Sequence, residues 1–397
     1  MSEAGVVIVG AGLGGIRVAE NLRSGGYTEP ITLIGDEIHP PYDRPPLSKS
    51  VLLGNDERVD LKPAEFFAES TVTLRTGQPV TAVSPTEHTV TIGSGDAAQT
   101  LGYDSLVLAT GLRPRLFPGA PAKGVHVIRT VDDALALRAE SESARNAVVI
   151  GAGFIGCEAA ASLRARGLTV TLIEPAPTPL AAALGETIGN LVTRLHVANG
   201  VDVRSGVGVD ALVAQGDQVS SVRLSDGSDV PADLVVVGIG STPVVEFLAG
   251  SGIGLAARES GGGVACDEVG HTSIDDVYAV GDVANWRNSD GVPVRVEHWN
   301  HTVEQAAIVA GQILGSTADV AVTVPYFWSD QYDVKVQVLG WPKATDDVHI
   351  VVDDGKKFVA YFSRDGLLTA VAGGGKAGAV MKMRAKLLAA TPIADLL

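Results

Sequence analysis

The chain has 397 residues, enough for two or three domains with buried cores, and its 47 glycines, 46% hydrophobic and 19% charged residues suit a glycine-turned α/β protein. A formal charge of −16 argues against nucleic acid and anionic membranes as general partners. The opening MSEAGVVIVG lacks the basic start of a secretion signal, and no segment reaches ~18 uninterrupted apolar residues. The expectation is a cytoplasmic protein with no membrane association.

The first predicted element is a short apolar strand, VVIV, that runs into the G-x-G-x-x-G pattern Gly10, Gly12, Gly15. A helix is expected from about Leu13 to SGG at 24–26, then a second apolar strand, ITLIGDE, at 31–37. The order recurs later: AVVIGAGFIG at 147–156 carries Gly151, Gly153 and Gly156, a helix runs from about Phe154 to Gly167, and VTLIE follows at 170–174. Each is the strand–turn–helix–strand unit that holds a dinucleotide. Gly10 and Gly151 make the tight turn, Gly12 and Gly153 let backbone amides approach a pyrophosphate, and Gly15 and Gly156 let helix pack on strand. The helix N-terminus adds unpaired N–H groups and partial positive charge. Asp36 and Glu174 stand at the ribose-binding distance of about 20 residues beyond each motif. One such motif is a weak signal; two complete copies are a strong one.

Between the strands, HPPYDRPPLSKS at 39–50 places four prolines around Arg44 and Lys49. Proline removes donors and fixes φ, so this is neither a central strand nor a helix interior. It reads either as a rigid exposed turn or as a stiffened wall of a ligand site at the carboxyl edge of the sheet. SLVLATGLRPR at 105–115 and DLVVVGIGSTP at 233–243 are near twins and read as the two crossings into and out of an inserted domain. VYAVGDVANW at 277–286 ends another apolar strand in Gly-Asp, a plain strand exit or a contact to a ribityl hydroxyl.

With these residues in view, the chain resembles the two-dinucleotide flavoproteins of the glutathione-reductase structural class. Within that class it resembles the putidaredoxin reductase and dioxygenase ferredoxin reductase family. Both glycine motifs, PPLSK, LVLATG, GDVA, EHWNHTVEQA at 297–306 and PYFWSDQYD at 325–333 carry the likeness over nearly the whole chain. PPLSK and the last of these are the family-specific parts.

The resemblance implies an α/β fold with two Rossmann-like domains, the NADH-binding one (112–241) inserted in an FAD-binding one (1–111 and 242–319). A C-terminal α+β domain (320–397) would cover the flavin with the FWSDQ segment. It assigns FAD contacts to Gly10, Gly12, Gly14, Gly15, Asp36, Arg44, Pro46, Lys49, Val80, Ala109, Gly111, Arg129, Asp282 and Trp299. It assigns NADH contacts to Gly151, Gly153, Gly156, Glu158, Glu174 and Gly240. Pro45 and Pro46 would wall the isoalloxazine, and Lys49, partnered by Glu158, would reach its N5 edge as a cation. Trp328 is a buried strand aromatic, or it acts with Lys49 and Glu158 in catalysis as a shield for the flavin or along the electron exit, and His298 and His301 beside Trp299 read as packing and hydrogen-bonding groups.

Relatives on this scaffold divide by their cysteines. Residues 36–60 hold none, Cys157 sits on the nucleotide-binding helix, and Cys266 has no apparent partner, so thiol chemistry is not expected. No metal-ligand spacing or Ser-His-Asp pattern occurs either. What remains is NADH-to-FAD hydride transfer followed by one-electron steps to an external carrier. The resemblance implies that this carrier is a [2Fe–2S] ferredoxin serving a cytochrome P450 or other oxygenase, and that the enzyme is a monomer. Two other readings stay open: a direct quinone or oxygen reductase of the apoptosis-inducing-factor or monodehydroascorbate-reductase kind, and a nucleotide-sensing interaction protein. EPAPTPLAAALG at 174–185 departs from the family pattern by lacking any basic residue. From Gly366 to Ala394 there is no acid, while Lys376, Lys382, Arg384 and Lys386 are basic. This run reads as a solvated face or as a docking patch for an acidic partner, with Arg295 and Lys335 as extensions.

Overall fold

The computed structural model describes residues 4–288, 290–316 and 323–397. The boundary expected at 319/320 lies outside them. The chain forms two compact units, one from residues up to Asp43, Val59–Arg113 and Ser241–Val322, the other from Arg44–Arg58, Pro114–Gly240 and Thr323–Leu397.

The first unit is built on a five-stranded parallel sheet with the spatial order Val277–Ala279, Ser105–Leu108, Val6–Val9, Ile31–Ile34, Val72–Arg75. Val6–Val9 is buried along its whole length, as a strand covered on both faces requires. The helix Leu13–Ser24 turns Ile16, Val18, Ala19 and Leu22 inward. It packs on Trp299–Ile313, whose Ala306, Val309 and Ala310 join the same core. The glycine-motif strand lies centrally, with the strands that follow it directly, Ile31–Ile34 and Val72–Arg75, on one side and the later Ser105–Leu108 and Val277–Ala279 on the other. Its carboxyl end is therefore a topological switch point, where ligands of open α/β sheets bind.

The second unit repeats the plan, with strand order Asp202–Ser205, Thr169–Glu174, Asn146–Ile150, Leu234–Val237, Val125–His126, again all parallel. The helix Phe154–Ala165 follows its central strand. The same unit includes a five-stranded antiparallel sheet of Tyr326–Gln331, Val334–Gly340, Leu367–Gly374, Phe358–Arg364 and Asp347–Asp353. Val336, Val338, Phe358 and Phe362 of that sheet share a buried cluster with Leu163, Leu184 and Val192. The expected α/β class, two Rossmann-like domains and a C-terminal α+β part, is what is found.

The proline-rich loop has a definite local shape. Pro45–Ser48 is a 3₁₀ turn with proline at its first positions, where a missing N–H costs nothing. Ser50–Leu53 follows as one α-turn and stops at Gly54 with φ 84°. Leu47, Ser48, Val51 and Leu52 are buried. The loop is anchored in the second unit, where the Ser162 hydroxyl donates to the Ser48 carbonyl at 2.7 Å.

Candidate active site

In the first unit the glycines divide by role. Gly10 has φ 115°, and a Cβ there would lie 2.2 Å from the Ala109 carbonyl oxygen; one on Gly15 would lie 2.1 Å from the Gly10 carbonyl. These two are required by the fold. Gly14 packs its helix on the neighbouring strand exit, since a Cβ would meet Val280 at 3.1 Å and Thr302 at 3.3 Å. Gly12 is different: nothing lies within 4 Å of its would-be Cβ, and it caps Leu13–Ser24 without a side-chain hydrogen bond. Open space over an uncapped helix N-terminus is what a pyrophosphate needs.

Ala109, Gly111 and Asp282 leave the adjacent strands at the same sheet edge, where Ala109 N–H donates to Val9 at 2.7 Å and Val280 N–H to Leu108 at 3.0 Å. Gly111 takes φ 66°. Gln305 holds the GDVA turn by accepting from Gly281 N–H at 2.8 Å, next to Asp282. Asp36 is exposed two residues past its strand, and Val80 begins the antiparallel strand Val80–Ser84. Trp299 opens its helix and donates from its indole to Asp43 at 2.9 Å. Burial pushes the neighbouring His298 and His301 down to about 4, so both imidazoles are neutral near pH 7, as packing groups should be.

The second unit has a matching cradle. A Cβ on Gly151 (φ 94°) would strike the Gly238 carbonyl at 2.2 Å and one on Gly156 the Gly151 carbonyl at 2.0 Å, while nothing lies within 4 Å of Gly153. Gly240, at φ 94°, leaves the next strand, and its carbonyl accepts from Arg115 N–H at 2.9 Å. Glu174 accepts from the Ala152 N–H at 2.7 Å through one oxygen and from Ala176 N–H at 2.9 Å through the other. Its carboxylate is therefore fixed against the glycine turn and keeps lone pairs for a ribose. The residues in both cradles fit dinucleotides.

Lys49 and Glu158, 109 positions apart, meet in this unit at 2.8 Å. Their side chains are 18% and 5% exposed, so this is a buried pair rather than a surface contact. Lys49 also donates to the Pro45 carbonyl at 3.1 Å. The 3₁₀ turn thus places both the ammonium and one of its acceptors, leaving one N–H of the three for a ligand. Two partners were not anticipated from the sequence: Ser48 donates to Glu158 Oε2 at 2.6 Å and Ser329 to Oε1 at 2.8 Å. Both lie inside quoted motifs, PPLSK and FWSDQ, which was the available signal. Arg44 donates to the Arg129 carbonyl, just before the capping box of Thr130 and Asp133, which ties those two expected contacts together. Pro46 sits in the 3₁₀ turn. Trp328 is partly exposed, stacks on Tyr326 with centroids 5.9 Å apart, and has the Lys335 ammonium 5.7 Å from its ring.

Both thiols are buried and free. Burial pushes Cys157 up, with the charges of Glu158 and Glu174 adding to it, and burial does the same to Cys266 beside Asp267. Neither is a nucleophile at neutral pH. Among the described residues no cluster of His, Cys, Asp and Glu could hold a metal, and no helix is long and apolar enough to cross a membrane.

Twin dinucleotide cradles, a buried lysine–carboxylate pair and inert thiols define a nucleotide-dependent redox scaffold. The chain matches the pyridine nucleotide-disulphide oxidoreductase family over residues 4–306 and a reductase C-terminal domain over 326–395. It is 38% identical over 374 residues to a ferredoxin–NAD(P)⁺ reductase of a Sphingomonas species, covering 92% of this chain and 88% of that protein. It superimposes on the ferredoxin reductase for the CYP199A2 system from Rhodopseudomonas palustris with a TM-score of 0.90 at 35% identity, over 96% of this chain and 94% of that one. With putidaredoxin reductase in its covalent complex with putidaredoxin the TM-score is 0.91 at 30% identity, over 99% and 94%. The chain belongs to the pyridine nucleotide-disulphide oxidoreductase family. It is an oxidoreductase that works with FAD and NAD(P)H.

Proposed function

We propose that this protein is an NADH-dependent ferredoxin reductase that passes electrons through FAD to a [2Fe–2S] ferredoxin serving a cytochrome P450 or related oxygenase. The observation that carries the reading is the pair of complete cradles in a chain whose thiols are both buried and protonated. Two dinucleotides bind, and no protein disulfide can take the electrons onward. Bound FAD supplies the hydride-accepting and one-electron chemistry. Gly12 with its helix N-terminus takes the pyrophosphate of FAD, Asp36 its ribose and Asp282 its ribityl chain. Gly153 and Glu174 do the same for NADH. Lys49 offers its free N–H to the flavin with Glu158 as counter-charge, and Trp328 excludes water. The matches to ferredoxin reductases over most of their length support this reading, and two unpaired cysteines suit a cytoplasmic setting.

Ferredoxin-dependent reduction of cytochrome c by NADH tests the function directly. Activity that requires an added [2Fe–2S] ferredoxin is the expected result. Fast quinone reduction with no response to ferredoxin would favour the direct-reductase alternative instead.

Cofactor choice rests on Glu174, whose charge repels a 2′-phosphate and whose lone pairs accept from a 2′-hydroxyl. Glu174→Ala is expected to lower kcat/KM for NADH about tenfold while narrowing its preference over NADPH. Equal use of both cofactors by the parent protein would show that another residue decides.

Docking of an acidic ferredoxin to a chain of charge −16 needs a local basic surface. Lys382 and Lys386 are exposed on and beside the short helices Ala377–Met381 and Arg384–Leu388. Arg384 is half-buried, with one N–H 3.4 Å from the Val324 carbonyl, and Lys376 lies 3.6 Å from Asp354. Arg295 is committed to Glu297 at 2.7 Å and Lys335 approaches Asp330 at 3.4 Å, so neither is a strong extension of the patch. Reversing Lys382, Arg384 and Lys386 to glutamate should weaken ferredoxin turnover, most at low salt, and spare ferricyanide reduction. Unchanged ferredoxin kinetics at low ionic strength would reduce the run to a solvated face.

A further inference from the structure

Glu158 carries more than an ion pair. Its Oε2 accepts from Ser48 and Lys49, and its Oε1 accepts from Ser329 at 2.8 Å and from the Asp330 N–H at 3.2 Å. Behind Ser329, the Gln331 amide nitrogen lies 3.3 Å from the serine oxygen. Ser329 and Gln331 are both fully buried.

The direction of each bond on the Oε1 side of this set is fixed by chemistry. An amide nitrogen and a backbone N–H only donate, and so does an ammonium. Ser329 must therefore accept from Gln331, which leaves its single proton for Glu158. If Ser329 turned to accept from Glu158 as well, its own proton would be stranded unpaired where no water reaches, which is unfavourable. Asp330 N–H cannot turn at all. A proton on Oε1 would thus face a donor, while the carboxylate form satisfies all four partners.

The Gln331 carbonyl oxygen and His196 Nε2 are both buried without a hydrogen-bond partner among the described residues. His196 Nδ1 lies 2.9 Å from the Tyr332 hydroxyl. With Tyr332 donating to Nδ1, the ring proton sits on Nε2, and the Gln331 amide is placed by its own 3.3 Å approach to the Ser329 oxygen. Burial pushes His196 down to about 4, in keeping with the neutral ring this arrangement needs.

We propose that Ser329, aimed by Gln331, is a positioning residue that holds the Glu158 side chain in place and thereby sets the ammonium of Lys49. The C-terminal strand Tyr326–Gln331 in this way tunes a lysine nearly three hundred positions earlier in the chain. This deepens the reading of Lys49 as the group that serves the flavin, and rests on it for its functional meaning. Its test does not depend on that reading.

The test is competitive acetylation of the protein as purified, at mildly alkaline pH, with Lys49 followed by peptide mass spectrometry. Lys123, an exposed lysine paired with Asp217 at 2.8 Å, serves as the internal reference. In Ser329→Ala, Glu158 loses a donor and swings more freely, so the Lys49 amine is held less and is more open to the reagent. Its labelling relative to Lys123 is expected to rise about tenfold. Gln331→Met should give a smaller rise, and Ser329→Thr, which keeps the hydroxyl, should stay close to the parent.

Labelling of Lys49 at the parent rate in a folded Ser329→Ala protein would overturn the proposal, as would a rise shared equally by Lys123, which reports general loosening. If Ser329→Ala does not fold, the same two outcomes in Gln331→Met decide. Raised labelling with unchanged reduction by NADH would leave the proposal standing and remove Lys49 from the flavin chemistry.

Discussion

Replacing Lys49 with methionine is expected to slow reduction of the bound flavin by NADH about a hundredfold, the usual cost of losing one preorganised donor at a reacting centre. It should also destabilise the protein by about 3 kcal/mol, because a carboxylate only 5% exposed loses its cation. The two effects have different causes and separate in the double variant. In Lys49→Met with Glu158→Gln no buried charge is left. The glutamine oxygen accepts from Ser329 and Asp330, and its amide nitrogen donates to Ser48, whose hydroxyl is free to turn. Most of the stability should return while the rate does not. Stopped-flow reduction and urea denaturation midpoints measure the two quantities. A parental reduction rate in the single variant would mean that Lys49 is a structural cation only.

The second large effect distinguishes a glycine the fold needs from one a ligand needs. Gly10→Ala should cost several kcal/mol, since φ 115° is strained for any side chain and the new methyl would sit 2.2 Å from the Ala109 oxygen. Gly12→Val has neither problem. Its backbone is extended, at φ −93° and ψ −163°, and the space around its Cβ is open. Its thermal stability without FAD should stay within about 0.5 kcal/mol of the parent. Its FAD affinity should fall at least about a hundredfold, because the methyls take the place of the pyrophosphate. Flavin fluorescence titration reads the affinity. A Gly12→Val protein that purifies fully yellow would place the FAD pyrophosphate elsewhere.

Much of this was legible in the sequence because its causes are local. Gly10 and Gly151 are glycines since one turn demands positive φ, and the run from each strand through its helix to Asp36 or Glu174 is short enough to read directly. The inertness of Cys157 was legible too, from its place on a tightly packed helix. What could not be read depends on residues brought together by folding. Ser48 reaches Glu158 across 110 positions and Ser329 across 171, and no spacing rule connects them. The hold of Glu174 on the Ala152 amide was hidden for a related reason, since the acid was expected only as a ribose acceptor. The prolines at 45 and 46 announced stiffness, but what the stiff turn presents, the Ser48 hydroxyl beside the Lys49 ammonium, emerges only with the helix that carries Glu158 in place.

Glu158 draws its partners from two stretches of chain far from its own helix: the loop at 48–49 and the strand at 329–330. In a chimera that joins the front of this reductase to the back of a relative, any crossover between 158 and 329 splits that set between two parents. Such a hybrid keeps every glycine of both cradles and still inherits a carboxylate shaped for one C-terminal strand and a strand shaped for another. Exchange of the C-terminal sheet between reductases, as a way of changing the electron acceptor, is therefore constrained from the inside: Ser48, Lys49, Glu158, Ser329 and Gln331 have to travel as one inherited group.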